Sequence, residues 1–247
     1  MSGSAGSPGP ILVLNSVIWD PEYDPCDPLW DVGGWFRKVF EGSGAILEIR
    51  QTQTDLPASL DGYSALVLTG SPAGAYDPDP WIEELKDTVR EAADRQLPTL
   101  GVCFGSQLIA QALGGKVEIN PNGWEIGNCE VELTPEGVQD PLFHGYSHSI
   151  GVMESHQDYI SSLPRDAVLL ATNSHTQIQA FGIGNYLRAI QFHPEMGPEH
   201  LQFILPPRRE RILRCIGLDI NDLLPNLYPT PGSGNIFLNF YNNFVAH

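Results

Sequence analysis

The sequence predicts an α/β domain: a central, mostly parallel β-sheet with helices on both faces. Through the first half, short β-branched or leucine-rich runs alternate with amphipathic segments, the rhythm of successive β-α units. The runs read as buried strands, as a sheet covered on both faces requires. The 247 residues are 42% apolar and only 17% charged, which suits a sizeable core and no disordered or fibrous class.

Residues 1–9 are small and polar and read as a disordered tail, with residues 10–247 forming one domain. Residues 11–15 (ILVLN) make the first strand, followed by an aspartate- and proline-rich loop at 20–28. Residues 29–40 have helical apolar spacing, and 45–51 form the next strand. SALVLT at 64–69 is a third strand and runs into the turn GSPAG. Residues 81–95 read as a helix, acidic early and with Arg90 and Arg95 late, matching the helix dipole. Residues 99–102 are a fourth strand, and 106–113 a helix closed by Gly114 and Gly115. From about residue 117 the pattern changes to short strands at 127–133, 151–155, 168–172, 178–181 and 186–191. That half predicts an antiparallel or mixed extension of the same domain. Residues 205–233, with RRER and five prolines, break the rhythm and read as an inserted loop or lid. An amphipathic helix at 235–245 follows.

Thirteen basic against 30 acidic residues give a formal charge of −17. Such a surface repels phosphate backbones and anionic membranes, so neither a nucleic acid nor a membrane is an expected partner. Cys26, Cys103, Cys129 and Cys215 are scattered without a CxxC pair, which argues against a structural zinc or a disulfide framework. The start lacks the basic-then-apolar run of a signal peptide, and no apolar stretch approaches the roughly 18–20 residues of a membrane span. A cytoplasmic protein without metal or cofactor is the expectation.

The chemistry begins at Gly101-Val102-Cys103-Phe104-Gly105-Ser106-Gln107. A β run ends on a cysteine and a helix starts at once, with glycines two residues to either side. This is the pattern of a nucleophile elbow, where small neighbours permit a strained backbone that exposes the side chain. A cysteine at a helix N-terminus feels the positive end of the dipole, which favours thiolate. The unpaired amides there can also donate to an oxyanion. A thiolate nucleophile needs a proton carrier, and His193, in QFHPE after the last strand, is the best placed of seven histidines. Glu195, two residues on, can turn back to bond the other imidazole nitrogen and fix its tautomer.

With these motifs together, the chain resembles the class I glutamine amidotransferases, whose members carry G-[IV]-C-x-G-x-Q and a later His-Pro-Glu. Thr69-Gly70-Ser71-Pro72 matches a turn that reads Gly-Gly-Pro in many members. The resemblance implies a flavodoxin-like three-layer fold. It also implies oxyanion donors at the Ser71 and Phe104 amides; Pro72, having no N–H, cannot serve. Gln107 matches the glutamine lining the γ-glutamyl pocket, with Gly70, Ser155, His156 and Asp158 as further candidates to contact substrate. The stretch Ser155-His156-Gln157-Asp158 and Trp124 in GWEIG are similar to the GMP-synthetase branch, Trp124 being read as packing. The implied reaction is attack by Cys103 on a γ-glutamyl amide, with a thioester that water hydrolyses.

Three functions follow from the resemblance. One is a stand-alone hydrolase of a γ-glutamyl conjugate, favoured because GWEIG and SHQD look most like stand-alone proteins. The second is a glutaminase subunit serving a separate synthetase. The third is an inactive binding or regulatory homologue, disfavoured because no member of the Cys-His-Glu set is lost. Other residues are assigned lesser roles. His144 and His148 are expected in a solvent-facing loop, Asp77, Asp79 and Pro80 at a helix start, and Cys26, Cys129 and Cys215 as bystanders. Arg208, Arg209, Arg211 and Arg214 are expected mainly to pair with the protein's own carboxylates.

Overall fold

The computed structural model describes residues 8–17 and 28–246. Most of the expected tail, most of the 20–28 loop, and Cys26 lie outside the described residues.

The first half follows the predicted rhythm. Strand β1 (Ile11–Asn15) leads to helix α1 (Val32–Val39), then β2 (Leu47–Gln51), β3 (Ala65–Leu68), α2 (Pro80–Asp94), β4 (Thr99–Val102) and α3 (Phe104–Ala112). Helix α1 starts later than the apolar spacing suggests. Pro28–Trp30 forms a separate 3₁₀ turn, and the Asp31 carboxylate caps the new helix by accepting from the Gly34 amide at 2.9 Å. Helix α2 opens on Pro80, whose missing N–H costs nothing in a first turn, and buries Ile82, Leu85, Val89 and Ala92 along one stripe. Helix α3 begins two residues earlier than predicted, because Cys103 alone makes the turn out of β4.

The second half contains β5 (Lys116–Ile119), β6 (Glu125–Leu133), α4 (Pro135–Gln139), β7 (Ser149–His156), β8 (Asp158–Ser162), β9 (Ala167–Thr172), β10 (Ala180–Ile183) and β11 (Leu187–Ile190). It closes with α5 (Pro198–Ile204), α6 (Arg209–Ile216), α7 (Ile220–Leu223) and α8 (Asn235–Phe240). Among the described residues one sheet runs β2-β1-β3-β4-β11-β10-β9-β6-β7. The first five strands in that order are mutually parallel and the remainder antiparallel, the predicted mixed extension. The order 2-1-3-4 followed by one more parallel strand is the flavodoxin-like winding. Strands β5 and β8 pair separately beside α3, a small sheet that the sequence pattern did not suggest.

Alternate residues of β1 explain the layering. Ile11 and Val13 pack into one apolar cluster with Phe36, Phe237 and Phe240 of α1 and α8. Leu12 and Leu14 pack into another with Leu85, Val89, Leu108 and Ile109 of α2 and α3. All four strand residues are buried, so the sheet is covered on both faces. A third cluster joins Trp124 and Met153 to Leu201, Leu205, Ile212 and Ile220. Residues 205–233, which the sequence suggested as loop, thus carry two helices and 3₁₀ turns that pack on the sheet edge. Pro206 and Pro225 sit in first turns of 3₁₀ segments, where proline is tolerated, so the proline density concealed helical structure. No helix among the described residues is long and apolar enough to cross a membrane.

Candidate active site

The carboxyl ends of three neighbouring parallel strands converge. β3 ends at the Thr69–Ser71 turn, β4 at Cys103, and β11 leads through Gln191 and Phe192 to His193. The Cys103 amide donates to Ile190 O of β11 at 2.8 Å, and the His193 amide to Met153 O of β7 at 2.9 Å, so backbone bonds fix both exits.

Cys103 has φ 52° and ψ −107°, a left-handed conformation that a residue with a Cβ rarely adopts. The glycines around it are demanded by space. A Cβ on Gly101 would lie 2.6 Å from Ile109 Cδ1 and 2.7 Å from the Gly105 backbone, and one on Gly105 would lie 2.5 Å from Leu68 O. The same holds across the cleft, where a Cβ on Gly70 would meet His193 Cε1 at 3.0 Å. Side-chain-free backbone therefore lets β3, the elbow and the imidazole approach one another.

His193 and Glu195 are both buried, and Nδ1 donates to Glu195 Oε1 at 2.7 Å. Cys103 lies close enough to the imidazole to act on its charge. Burial opposes a charge on His193, but Glu195 and Cys103 outweigh it and hold the imidazole well above its ordinary value. The Gly105 amide is taken by Thr69 O at 3.1 Å, whereas the Phe104 and Ser71 amides have no partner among the described residues. Both lie at the site, at the helix start and in the turn facing it.

Close to Cys103 lies a buried cluster that no local sequence pattern foretells. The His156 imidazole lies 3.1 Å from Glu125 and 3.3 Å from Glu154 through Nε2, and Nδ1 donates to Asp158 O at 2.8 Å. Burial alone would lower its pKa, but the two carboxylates lift it to about 10, so it is an imidazolium at neutral pH. Glu125 also accepts from Asn173 at 2.5 Å and from Gln179 at 3.0 Å. Glu154, fully buried, is pushed upward by desolvation. One ligand atom from each of Glu125, Glu154 and His156 lies within 4.8 Å of the others, a spacing a metal could use. Both imidazole nitrogens are already engaged, by Glu125 and the Asp158 carbonyl, while the buried Glu154 carboxylate has no hydrogen-bond partner among the described residues and meets the imidazole as an ion pair.

The remaining candidates divide. Gln107 is buried, and its amide donates to Asp158 O and to Gln191 Oε1, both at 3.0 Å. Asp158 accepts from the Tyr76 hydroxyl at 3.1 Å. Ser155 lines the cleft with its hydroxyl buried and unpartnered among the described residues. His156, by contrast, is committed to the internal cluster. His144 and His148 are exposed as expected. Cys129 is half-buried with its thiol pushed up by burial, and Cys215 is exposed. Asp79 caps α2 by position, yet Asp77 and Asp79 also edge the cleft. Of the arginines, Arg209 pairs with Asp219 at 2.6 Å, as expected. Arg208 and Arg211 also line the cleft, a placement that the mere presence of RRER could not give.

A protein-family model described as "Glutamine amidotransferase class-I" matches residues 35–204. The chain belongs to the class I glutamine amidotransferase family. Among curated relatives, "Gamma-glutamyl peptidase 5" of Arabidopsis thaliana is 32% identical over 144 residues, covering 58% of this chain and 57% of that protein. A "GMP synthase [glutamine-hydrolyzing]" of Pyrobaculum aerophilum is 34% identical over 142 residues, 57% of this chain and 26% of that one. The matches thus span little more than half the length of the peptidase and a quarter of the synthase. Among solved structures, a glutamine amidotransferase from Thermotoga maritima superposes with a TM-score of 0.78 at 24% identity, covering 97% of this chain and 99% of its own. One from Methylobacillus flagellatus gives 0.76 at 21% identity, covering 97% and 94%. These likenesses establish the fold.

Proposed function

We propose that this protein hydrolyses γ-glutamyl amide bonds with Cys103 as nucleophile, His193 as its acid and base, and Glu195 as the residue that orients the imidazole. The observation that carries this reading is the left-handed Cys103 at the strand–helix junction, facing a His193 held to Glu195 at 2.7 Å. The family membership and the likeness to a γ-glutamyl peptidase support a γ-glutamyl hydrolase or glutaminase role.

In this reading the Cys103 proton passes to His193, and the thiolate attacks the γ-carbonyl carbon. The C=O electrons move onto oxygen, where the Ser71 and Phe104 amides donate to the oxyanion. As the oxyanion collapses, the C–N bond breaks and His193 gives its proton to the leaving nitrogen. The amine departs and a γ-glutamyl thioester remains. Water then loses a proton to His193 and attacks the thioester; the C–S bond breaks, glutamate leaves, and the thiol is restored. Glu195 stabilises the imidazolium at each stage without itself changing protonation. The raised pKa of His193 suits its service as the acid in the first half.

The likeness to glutamine-hydrolysing GMP synthases supports a second reading, a glutaminase that supplies ammonia to a separate synthetase. Glutamate release by the isolated protein separates the two. Brisk turnover of a γ-glutamyl conjugate with little of glutamine establishes the stand-alone hydrolase. Feeble turnover of everything until a synthetase is added establishes the other. In either case Cys103→Ala abolishes release while leaving the unfolding transition in place, and retention of more than a few per cent of activity removes the nucleophile assignment.

A further inference from the structure

Two cavities meet at Cys103, and they differ in size and in lining. The smaller, about 110 Å³, presents Gln107, Asp158, Arg208 and Arg211. The larger, about 670 Å³, is walled mainly by Trp30, Trp35, Met196, Ile204 and Pro207, with Asp77, Asp79 and Arg208 also in its lining. Ser71, Cys103, Ser155 and Arg208 line both.

We propose that the substrate is a γ-glutamyl amide of a bulky, apolar amine, its glutamyl head in the small cavity and its amine portion in the large one. The proposal rests on the γ-glutamyl hydrolase reading above and names the substrate class. The direction of binding follows from the linings, mostly polar in the small cavity and mostly apolar in the large one. A glutamyl head carries an ammonium and a carboxylate, and taking both from water is costly unless opposite charges meet them. The small cavity offers a guanidinium and a carboxylate in Arg211 and Asp158. Arg211 is held in place: its guanidinium lies 5.4 Å from the Trp124 ring centroid and donates to Gln157 Oε1 at 2.6 Å. The buried, unpartnered Ser155 hydroxyl leaves a further hydrogen bond for a ligand.

The large cavity decides the leaving group. Ammonia fills none of it, whereas 670 Å³ is in the range of about 300–1,000 Å³ that encloses whole organic ligands. Its aromatic wall is fixed rather than mobile. Trp30 meets Phe203 edge-on at 4.1 Å and Trp35 meets His200 edge-on at 4.6 Å. Pro207, Arg208 and Arg211 lie beyond residues 35–204, so part of both linings comes from outside the stretch the family model matches.

The test uses the full chain with glutamine, γ-glutamyl-methylamide and γ-glutamyl-phenethylamide, following glutamate release with Cys103→Ala as blank. Each methylene held in an apolar pocket is worth about tenfold or more. We expect kcat/KM for the phenethylamide to exceed that for the methylamide by at least about a hundredfold. Ile204→Trp, which narrows the cavity, should cut that ratio by about tenfold or more, as should Trp35→Ala if it folds. Arg211→Gln should raise KM for both amides alike. Glutamine or the methylamide turned over as well as the phenethylamide, or a ratio unmoved by Ile204→Trp, overturns the proposal. If none of the three is hydrolysed, the hydrolase reading fails, and calorimetry on Cys103→Ala decides the seat separately. Tighter binding of the phenethylamide than of the methylamide supports it, and equal affinities refute it.

Discussion

Replacing Gly105 by alanine sets one methyl group against the backbone that positions the nucleophile. The new Cβ would stand 2.5 Å from Leu68 O, 2.7 Å from Leu68 Cβ and 2.9 Å from Leu68 C. Ordinary contact begins at 3.4 Å, so α3 and β3 must part by the difference, roughly 0.9 Å, in a close-packed core. The bond from the Gly105 amide to Thr69 O, 3.1 Å long, stretches with them. Overpacking of this kind costs about 1–3 kcal/mol. In a chain of this length that is a fall in Tm of about 2–12 °C. The functional loss is larger, because the displaced helix start carries the Phe104 amide and Cys103 away from the Ser71 turn. A misplacement of about 1 Å at reacting groups costs about a hundredfold in rate. Gly232→Ala is the control. A Cβ there has nothing within 4 Å, so stability should stay within about 0.5 kcal/mol and activity should be unchanged. The assays are thermal unfolding and glutamate release from a γ-glutamyl amide. A Gly105→Ala enzyme with unchanged Tm and more than about a tenth of the activity would refute the claim that this glycine holds the elbow closed.

Other perturbations probe the rest of the site and the fold. Glu195→Gln should reduce kcat less than His193→Ala does, since an orienting group acts through the base; equal losses in steady-state turnover would contradict that division of roles. His156 is lifted to about 10 in the folded state against 6.5 unfolded, so its contribution to stability is complete below pH 6.5 and disappears as pH rises through about 10. Melting temperature should therefore fall across pH 7–10, and Glu125→Gln, which removes a partner of the imidazolium, should flatten that fall; parallel curves would show that the cluster is not responsible. Arg188 on β11 bonds both Asp140 oxygens at 2.9 Å, and the pair is nearly fully buried. Asp140→Asn leaves an uncompensated buried guanidinium and should cost about 3 kcal/mol in urea unfolding, while a cost below about 1 kcal/mol would remove the pair from the account of stability.

The parallel half of the fold was legible because its strands are buried on both faces and so appear as unbroken apolar runs, as in ILVLN and SALVLT. The elbow was legible for a steric reason. Gly101 and Gly105 are positions where the backbone admits no Cβ, and that constraint is written directly into GVCFG. His193 and Glu195 could be read because both sit on one short turn. Strands β5 and β8 were not, since Lys116–Ile119 and Asp158–Ser162 are short and find each other only through tertiary pairing. The helices within 205–233 were masked by prolines that occupy first turns rather than breaking helices. The Glu125–Glu154–His156 cluster was hidden for a different reason. Its members lie on two antiparallel strands whose register, Glu125 opposite His156, no local pattern encodes. Arg211 likewise reaches the cleft only because α6 folds back over Trp124.

The nucleophile assignment is tested most directly by rapid acid quench of the native protein during turnover, followed by mass spectrometry of its cysteine peptides. An added γ-glutamyl group is expected on the peptide carrying Cys103, and none in Cys103→Ala. Turnover without any adduct, or with the adduct on Cys129 or Cys215, would contradict it.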